Sequence, residues 1–387
     1  MLFDKGYSIA IAGHRCLNRT YCGVECQHCK NLCPSDAVAV TFHQSGIVLD
    51  KDKCVGCGLC FSECPVQVFG SSRWDETSIV GKIEEKGWKI TDFFCGRHSS
   101  PYQDDKNRDR GAIRLPACLA IVTRGCWYET GMKTEVRLRL DQCRQCPMEK
   151  TLPRLKCSIE TAAEWLAASG HTPRFNLIHQ SNRSRVKVNL KAVDAGLKVT
   201  SRRDLFLSLV KEGVRETPDD KLGANTSSSL SSGEGRPGTC LPDWRRRLAP
   251  VYSRNMIEGS LPAYWPTITL NSRCVHCGLC VLLCPSGTLH RIVEDGICTY
   301  HFTSGFCLDC RICQLICEQK AIERAREQVA KPFEKTCIYT SPVDECRRCG
   351  NVTSDFHTRL CYRCRQEVSL DSEFKDVCRK LLIQDDD

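Results

Sequence analysis

Apolar and polar residues alternate with period two in three short stretches near the N-terminus, AVAVTFH at 37–43, GIVLDKDK at 46–53 and VQVF at 66–69, which predict short strands. Between 86 and 182 the pattern changes. WKITDFF at 88–94, AIRLP at 112–116, EVRLRL at 135–140 and RFNLIHQ at 174–180 predict strands, while ACLAIVTRGCWYET at 117–130 and LKCSIETAAEWLAAS at 155–169 predict helices. Strands alternating with helices imply a small parallel α/β domain of the thioredoxin or flavodoxin shape. Apolar residues almost vanish from 212 to 240, which predicts a flexible linker. The segment before it, SRRDLFLSLVKEG at 201–213, has the look of a docking helix and DWRRRL at 243–248 that of a basic surface turn, with solvated charge the expected meaning of both. No apolar run approaches the ~18–20 residues needed to cross a bilayer, and the greasy stretch in the first twenty residues is too short for a secretory signal. The expected location is the cytoplasm.

Cysteine changes this picture most, with 31 among 387 residues. Four runs end in the same way. They are Cys22-x3-Cys26-x2-Cys29-x3-Cys33-Pro34, Cys54-x2-Cys57-x2-Cys60-x3-Cys64-Pro65, Cys274-x2-Cys277-x2-Cys280-x3-Cys284-Pro285 and Cys307-x2-Cys310-x2-Cys313-x3-Cys317. Three thiolates so spaced wrap a loop around one cubane, and the fourth sits about one helical turn away, aimed at a neighbouring cubane. A disulfide scaffold would leave the repeated fourth cysteine unexplained, so the expected compartment is reducing. The formal charge of +9 then loses its apparent nucleic-acid meaning. Sixteen cluster thiolates around four oxidised cores contribute about −8 and a four-cysteine zinc site about −2, leaving a holoprotein near −1.

The runs are duplicated. Cys22 to Cys54 and Cys274 to Cys307 are nearly equal offsets, and CVGCGLC at 54–60 differs from CVHCGLC at 274–280 at one position. The two modules, 1–72 and 263–326, resemble bacterial-type double-cubane ferredoxins, whose fold is two short antiparallel strand pairs with two helices over the clusters. The resemblance implies four 4Fe-4S clusters. Carried over, cluster one takes Cys22, Cys26, Cys29 and Cys64, and cluster two takes Cys54, Cys57, Cys60 and Cys33. Cluster three takes Cys274, Cys277, Cys280 and Cys317, and cluster four takes Cys307, Cys310, Cys313 and Cys284. Two departures stand out. The extra residue in Cys22-x3-Cys26 should bulge that loop, and Glu318 replaces the proline usual after Cys317. The spacing Cys22-x3-Cys26-x2-Cys29 is also that of radical-SAM enzymes. Cys33-Pro34 in the ferredoxin position and the lack of a repeated βα barrel pattern in 71–260 weigh against that reading.

In the α/β domain at 86–182, Cys95 ends the first predicted strand, Cys118 lies just beyond the second, and Cys143 and Cys146 follow the third. Parallel strand ends share one sheet edge, so these four should converge. They suit a 2Fe–2S centre, a redox dithiol with CxxC spacing, a zinc site, or merely buried thiols. Cys126 and Cys157 read as core, and His98 as a loop residue. The domain resembles the iron–sulfur subunit domain of hydrogenase–heterodisulfide reductase complexes, which implies electron transfer to a partner. At 340–368, Cys346-x2-Cys349-Gly350 and Cys361-x2-Cys364 resemble a short zinc ribbon, with rubredoxin-type iron the competing occupant and His357 a spare donor.

The expected fold class is α+β: two ferredoxin-like modules flanking a small parallel α/β domain, with a zinc ribbon at the end. The expected function is that of a polyferredoxin, an electron-transfer subunit or donor of a multi-subunit anaerobic oxidoreductase rather than a catalyst alone. Its expected partners are proteins, with no membrane span and no nucleic acid. The rival readings are a thiol/disulfide reductase built on the middle-domain cysteines and a redox-sensing regulator.

Overall fold

A computed structural model describes residues 9–21, 24–41, 46–71, 73–98, 109–179, 192–198, 240–257 and 262–367. Cys22, the expected linker up to residue 239 and the expected docking helix lie outside the described residues. The chain forms two compact units, Met1–Ala263 and Tyr264–Asp387.

The first unit begins with β1 (Ala10–Ile11), the short helices α1 (Leu17–Thr20) and α2 (His28–Leu32), β2 (Val38–Thr41), β3 (Gly46–Leu49), α3 (Leu59–Glu63) and β4 (Phe69–Gly70). The strands β1 and β4 pair antiparallel, Ala10 opposite Gly70. So do β2 and β3, Val38 opposite Leu49.

Next come α4 (Thr77–Lys86), β5 (Ile90–Cys95), β6 (Arg110–Leu115), α5 (Arg124–Lys133), β7 (Glu135–Arg139), α6 (Leu152–Ala168), β8 (Phe175–Ile178) and β9 (Ala192–Asp194). The five strands make one sheet in the order β8-β7-β5-β6-β9, every pair parallel. All-parallel pairing excludes the thioredoxin shape and fits the flavodoxin order across β6-β5-β7-β8, with β9 added outside β6. Phe93, Phe94, Ile113, Val136 and Leu138 are wholly buried, and Trp127 of α5 meets Phe93 edge-on at 5.3 Å.

Two sequence expectations are corrected here. The helix expected over 117–130 begins only at Arg124, where the Thr123 hydroxyl caps it by accepting the Cys126 N–H at 3.2 Å. Residues 119–121 form a single 3-10 turn instead. The Ser62 hydroxyl donates to the Ala120 carbonyl there at 2.6 Å, so contact with the first module overrides helix propensity. The second correction is DWRRRL, which opens α7 (Asp243–Asn255) rather than making a surface turn. Trp244, Leu248 and Tyr252, one turn apart, are its buried face. Trp244 stacks on Trp165 at 6.4 Å, and Tyr252 lies 5.6 Å from Tyr128. Arg247 is not solvated charge: it pairs with the buried Glu76 and approaches Glu129 at 3.6 Å.

The second unit runs β10 (Ala263–Leu270), α8 (Leu279–Leu282), β11 (Leu289–Glu294), β12 (Ile297–Phe302), α9 (Ile312–Leu315), β13 (Ile322–Val329), β14 (Thr336–Pro342), β15 (Asp344–Glu345) and β16 (Val352–Thr353). The two eight-residue strands, β10 and β13, pair with each other, while β11, β12 and β14 make a three-stranded sheet. Val343 and Val352, from the final segment, pack against the same apolar cluster as Tyr300, Phe302 and Leu289. No helix among the described residues is long and apolar enough to cross a membrane.

Candidate metal centres

Three of the four cysteine runs adopt one backbone shape. The residues flanking their middle cysteine are left-handed: Gly56 and Gly58 (φ +67° and +77°), His276 and Gly278 (+55° and +76°), Asp309 and Arg311 (+57° and +63°). Two such reversals curl the loop so that successive thiols face one centre. A left-handed non-glycine residue costs roughly 1–2 kcal/mol, so His276, Asp309 and Arg311 are held there by the loop. Past the last cysteine of all four runs, the third residue is again left-handed: Asp36, Gln67, Gly287 and Lys320. That turn aims a backbone N–H back at the sulfur, from Ala37 to Cys33 at 3.3 Å, Val68 to Cys64 at 3.4 Å and Ala321 to Cys317 at 3.3 Å. Such bonds favour the thiolate.

The thiols gather across runs. One cavity is lined by Cys274, Cys277, Cys280 and Cys317 together with Tyr300 and Tyr362, and another by Cys29, Cys33, Cys54, Cys57 and Cys60. Burial pushes the Cys280 thiol up to about 12, and Cys274, Cys277 and Cys317 push it further in the same direction. Burial does the same to Cys310, again to about 12, with Cys307 and Cys284 as charged neighbours. Each group thus holds a cysteine from the partner run. His276 is 1% exposed, and neither ring nitrogen has a hydrogen-bond partner. Burial and Arg291 hold it below its usual range, leaving a neutral ring with one buried N–H.

The flavodoxin-like sheet reverses direction at β5, and the crevice at such a point is where its loops diverge. Cys95 ends β5, Cys118 follows β6, and Cys143 and Cys146 form a turn after β7. The structure brings them together as the strand ends require. Burial pushes the Cys143 thiol up to about 12, and the neighbours that add to it are Cys118, Cys95 and Cys146, then Asp141. Thr151 Oγ1 lies 3.5 Å from Cys118 Sγ. His98 is a loop residue but a buried one, with Nε2 3.2 Å from Asp141. The site abuts the first module: burial, with Cys118, Cys33 and Cys54 adding to it, pushes the Cys57 thiol up to about 12, and the Ser62 hydroxyl donates to the Ala120 carbonyl at 2.6 Å. Beside that contact, buried Glu63 receives Arg124 at 3.1 Å, Arg154, and His28 at 3.7 Å. Burial raises the Glu63 pKa, but these partners outweigh it and hold the carboxyl down to about 2. Cys126 is fully buried in α5 and donates to the Glu76 carbonyl, while Cys157 is half-buried on α6.

In the second unit, Cys346, Cys349, Cys361 and Cys364 have sulfurs within 4.8 Å of one another; no other His, Cys, Asp or Glu group among the described residues is so tight. Gly350, at φ +73°, reverses the chain after Cys349 and donates its N–H to the Cys346 carbonyl at 2.8 Å. Tetrahedral zinc with bonds of about 2.3 Å sets its sulfurs about 3.8 Å apart, and Cys349 and Cys361 stand at 3.6 Å. His357 is exposed and outside this set.

Residues 47–69 and 269–290 each match the 4Fe-4S binding domain family. The chain carries ferredoxin domains at two places. Over 64 residues it is 39% identical to a formate dehydrogenase iron–sulfur subunit of Wolinella succinogenes, covering 15% of this chain and 30% of that one. Over 68 residues it is 41% identical to a putative dimethyl sulfoxide reductase iron–sulfur subunit of Halobacterium salinarum, covering 16% and 24%. An uncharacterised ferredoxin of Methanocaldococcus jannaschii is 43% identical over 51 residues, covering 12% and 29%. The chain thus spans less than a third of the length of these relatives. The curled loops, the N–H groups aimed at sulfur and the buried imidazole N–H beside Cys277 all fit 4Fe-4S clusters as occupants.

Sequence reasoning missed Cys16, which is 5% exposed and lies next to the Cys26, Cys29 and Cys64 thiols. It stands outside every CxxC run, so spacing gave no signal for it.

Proposed function

We propose that this protein is a polyferredoxin: a cytoplasmic electron-transfer subunit or donor of a multi-subunit anaerobic oxidoreductase, with protein redox partners. Cysteines 54, 57, 60 and 33 hold cluster two, 274, 277, 280 and 317 cluster three, and 307, 310, 313 and 284 cluster four. Cluster one uses 26, 29 and 64 with one further cysteine. Cys346, Cys349, Cys361 and Cys364 hold zinc. When bound, the clusters exchange single electrons with their neighbours and with the partner.

The observation that carries this reading is the seating of the turn after Cys118 on the first module, where the Ser62 hydroxyl donates to the Ala120 carbonyl at 2.6 Å, with Cys118 among the thiols that raise the Cys57 pKa. That contact supports a reading in which the middle domain extends the relay from cluster two. Cys95, Cys118, Cys143 and Cys146 are spread wider than the 4.8 Å within which the tail sulfurs gather, which favours an iron–sulfur centre over a single zinc ion. A thiol/disulfide reductase needs a thiol of lowered pKa, and Cys143 is pushed the other way, to about 12. The protein's own part is to bury the centres, aim N–H groups at sulfur and fix their separations.

Metal and sulfide analysis after anaerobic purification, with EPR of the reduced protein, tests the proposal. More than about 16 iron per chain with about one zinc, and a resonance lost on Cys143→Ser, is the expected result. About 16 iron with no such resonance removes the middle domain from the relay, and fewer than about 12 removes the polyferredoxin reading.

A further inference from the structure

The first cysteine run departs from the other three. In those, left-handed residues flank the middle cysteine. At the corresponding positions around Cys26, neither Glu25 nor Gln27 is left-handed, and Gln27, at φ −113°, opens α2 instead. Cys26 therefore leads into its helix without the double reversal that curls the other three loops.

Another thiol occupies this neighbourhood. Cys16 precedes α1, which is fastened to the Cys26 loop by a two-way amide clamp: Asn18 Nδ2 donates to the Cys26 carbonyl at 2.7 Å, and the Cys26 N–H donates to Asn18 Oδ1 at 2.6 Å. Asn18 is itself 6% exposed. The clamp ties the helix that follows Cys16 to the Cys26 backbone. On its other side Cys16 faces the hairpin, where a Cβ on Gly46 would stand 3.9 Å from its Sγ. The thiols that sense one another's charge across this space are Cys16, Cys26, Cys29 and Cys64. Four thiols from three segments are thus neighbours.

The geometry points to Cys16, in place of Cys22, as the fourth ligand of cluster one, completing a Cys16, Cys26, Cys29 and Cys64 set around a 4Fe-4S cluster. This rests on the ferredoxin reading of the first module. The assignment has a chemical consequence. A cubane held by four thiolates has no iron free for an external ligand, so cluster one serves as a relay and not as a substrate site.

Full-length Cys16→Ser and Cys22→Ser proteins, purified anaerobically beside the unaltered chain, test it by iron and sulfide content and by EPR. Cys22→Ser should keep all its iron and its spectrum. Cys16→Ser should lose about four iron and four sulfide, or keep them with one resonance changed by a serine ligand. Loss of about four iron from Cys22→Ser overturns the inference, whether or not Cys16→Ser loses them too. So does an unchanged Cys16→Ser. If the unaltered chain itself lacks cubane iron in the first module, the ferredoxin reading fails, and that outcome is visible before either variant is compared. The Cys22→Ser arm decides the matter even if Cys16→Ser does not fold.

Discussion

Ile121 lies against the bare backbone of Gly58: a Cβ at position 58 would stand 2.5 Å from its Cγ1. Gly58 also has φ +77° and caps α3 beside Cys57. Two penalties therefore add in Gly58→Ala, roughly 1–2 kcal/mol for the left-handed backbone and 1–3 kcal/mol for overpacking. At the matching Gly278, a Cβ would meet only the guanidinium of Arg291 at 3.0 Å, the far end of a flexible chain. Denaturant unfolding should show Gly58→Ala losing about 2–5 kcal/mol and Gly278→Ala only about 1–2 kcal/mol. Equal losses would mean that the contact with Ile121 does not bind module to sheet.

Glu63 should make that same junction acid-sensitive. Its folded pKa is depressed to about 2 against an ordinary 4.5. Its contribution is therefore complete above about pH 4.5 and is lost as the pH falls towards 2. The shift corresponds to about 3 kcal/mol. Glu63→Gln should cost about that at neutral pH, and its gap from the unaltered protein should narrow by about 1 kcal/mol between pH 7 and pH 4. Urea titrations at the two pH values read this directly. A gap independent of pH would show that the carboxylate charge is not what Arg124 and Arg154 hold.

Trp244 ties α7 to the sheet domain, stacked on Trp165 and covering Gly125, where a Cβ would meet its ring at 2.6 Å. Trp244→Ala should lower unfolding stability by about 3–5 kcal/mol. A loss under about 1 kcal/mol would restore the idea of a loosely attached basic segment.

The final four-cysteine group should be separable from the clusters. Cys364→Ser should remove about one zinc per chain while leaving iron content unchanged. Tyr362, next to that group, lines the Cys274 cavity and hydrogen-bonds Glu318. Loss of the metal should therefore also speed bleaching of the iron–sulfur absorbance in air. Unchanged bleaching would show that the tail does not shield the cavity.

The cysteine runs were legible because their spacing is local, and so were the strands β5 to β8, each a short apolar run between polar turns. Convergence of Cys95, Cys118, Cys143 and Cys146 was legible because parallel strand ends must share an edge. What escaped depended on distant partners. The apolar face of α7 is hidden in an arginine-rich string, and only Trp165 and Tyr128 reveal its meaning. The late start of α5 depends on Ser62 and Gly58. Cys16 gains significance only through the clamp from Asn18 to a residue in another loop.

The corner after each of β5, β6 and β7 supplies part of the thiol group at the sheet's reversal point. No pair of neighbouring segments can assemble it, since the crossover from β6 to β7 must pass over β5 first. A chain that stalls before that crossover offers scattered thiols, and long-range closure comes late in folding. The four thiols can therefore become neighbours only once the sheet has taken its finished strand order.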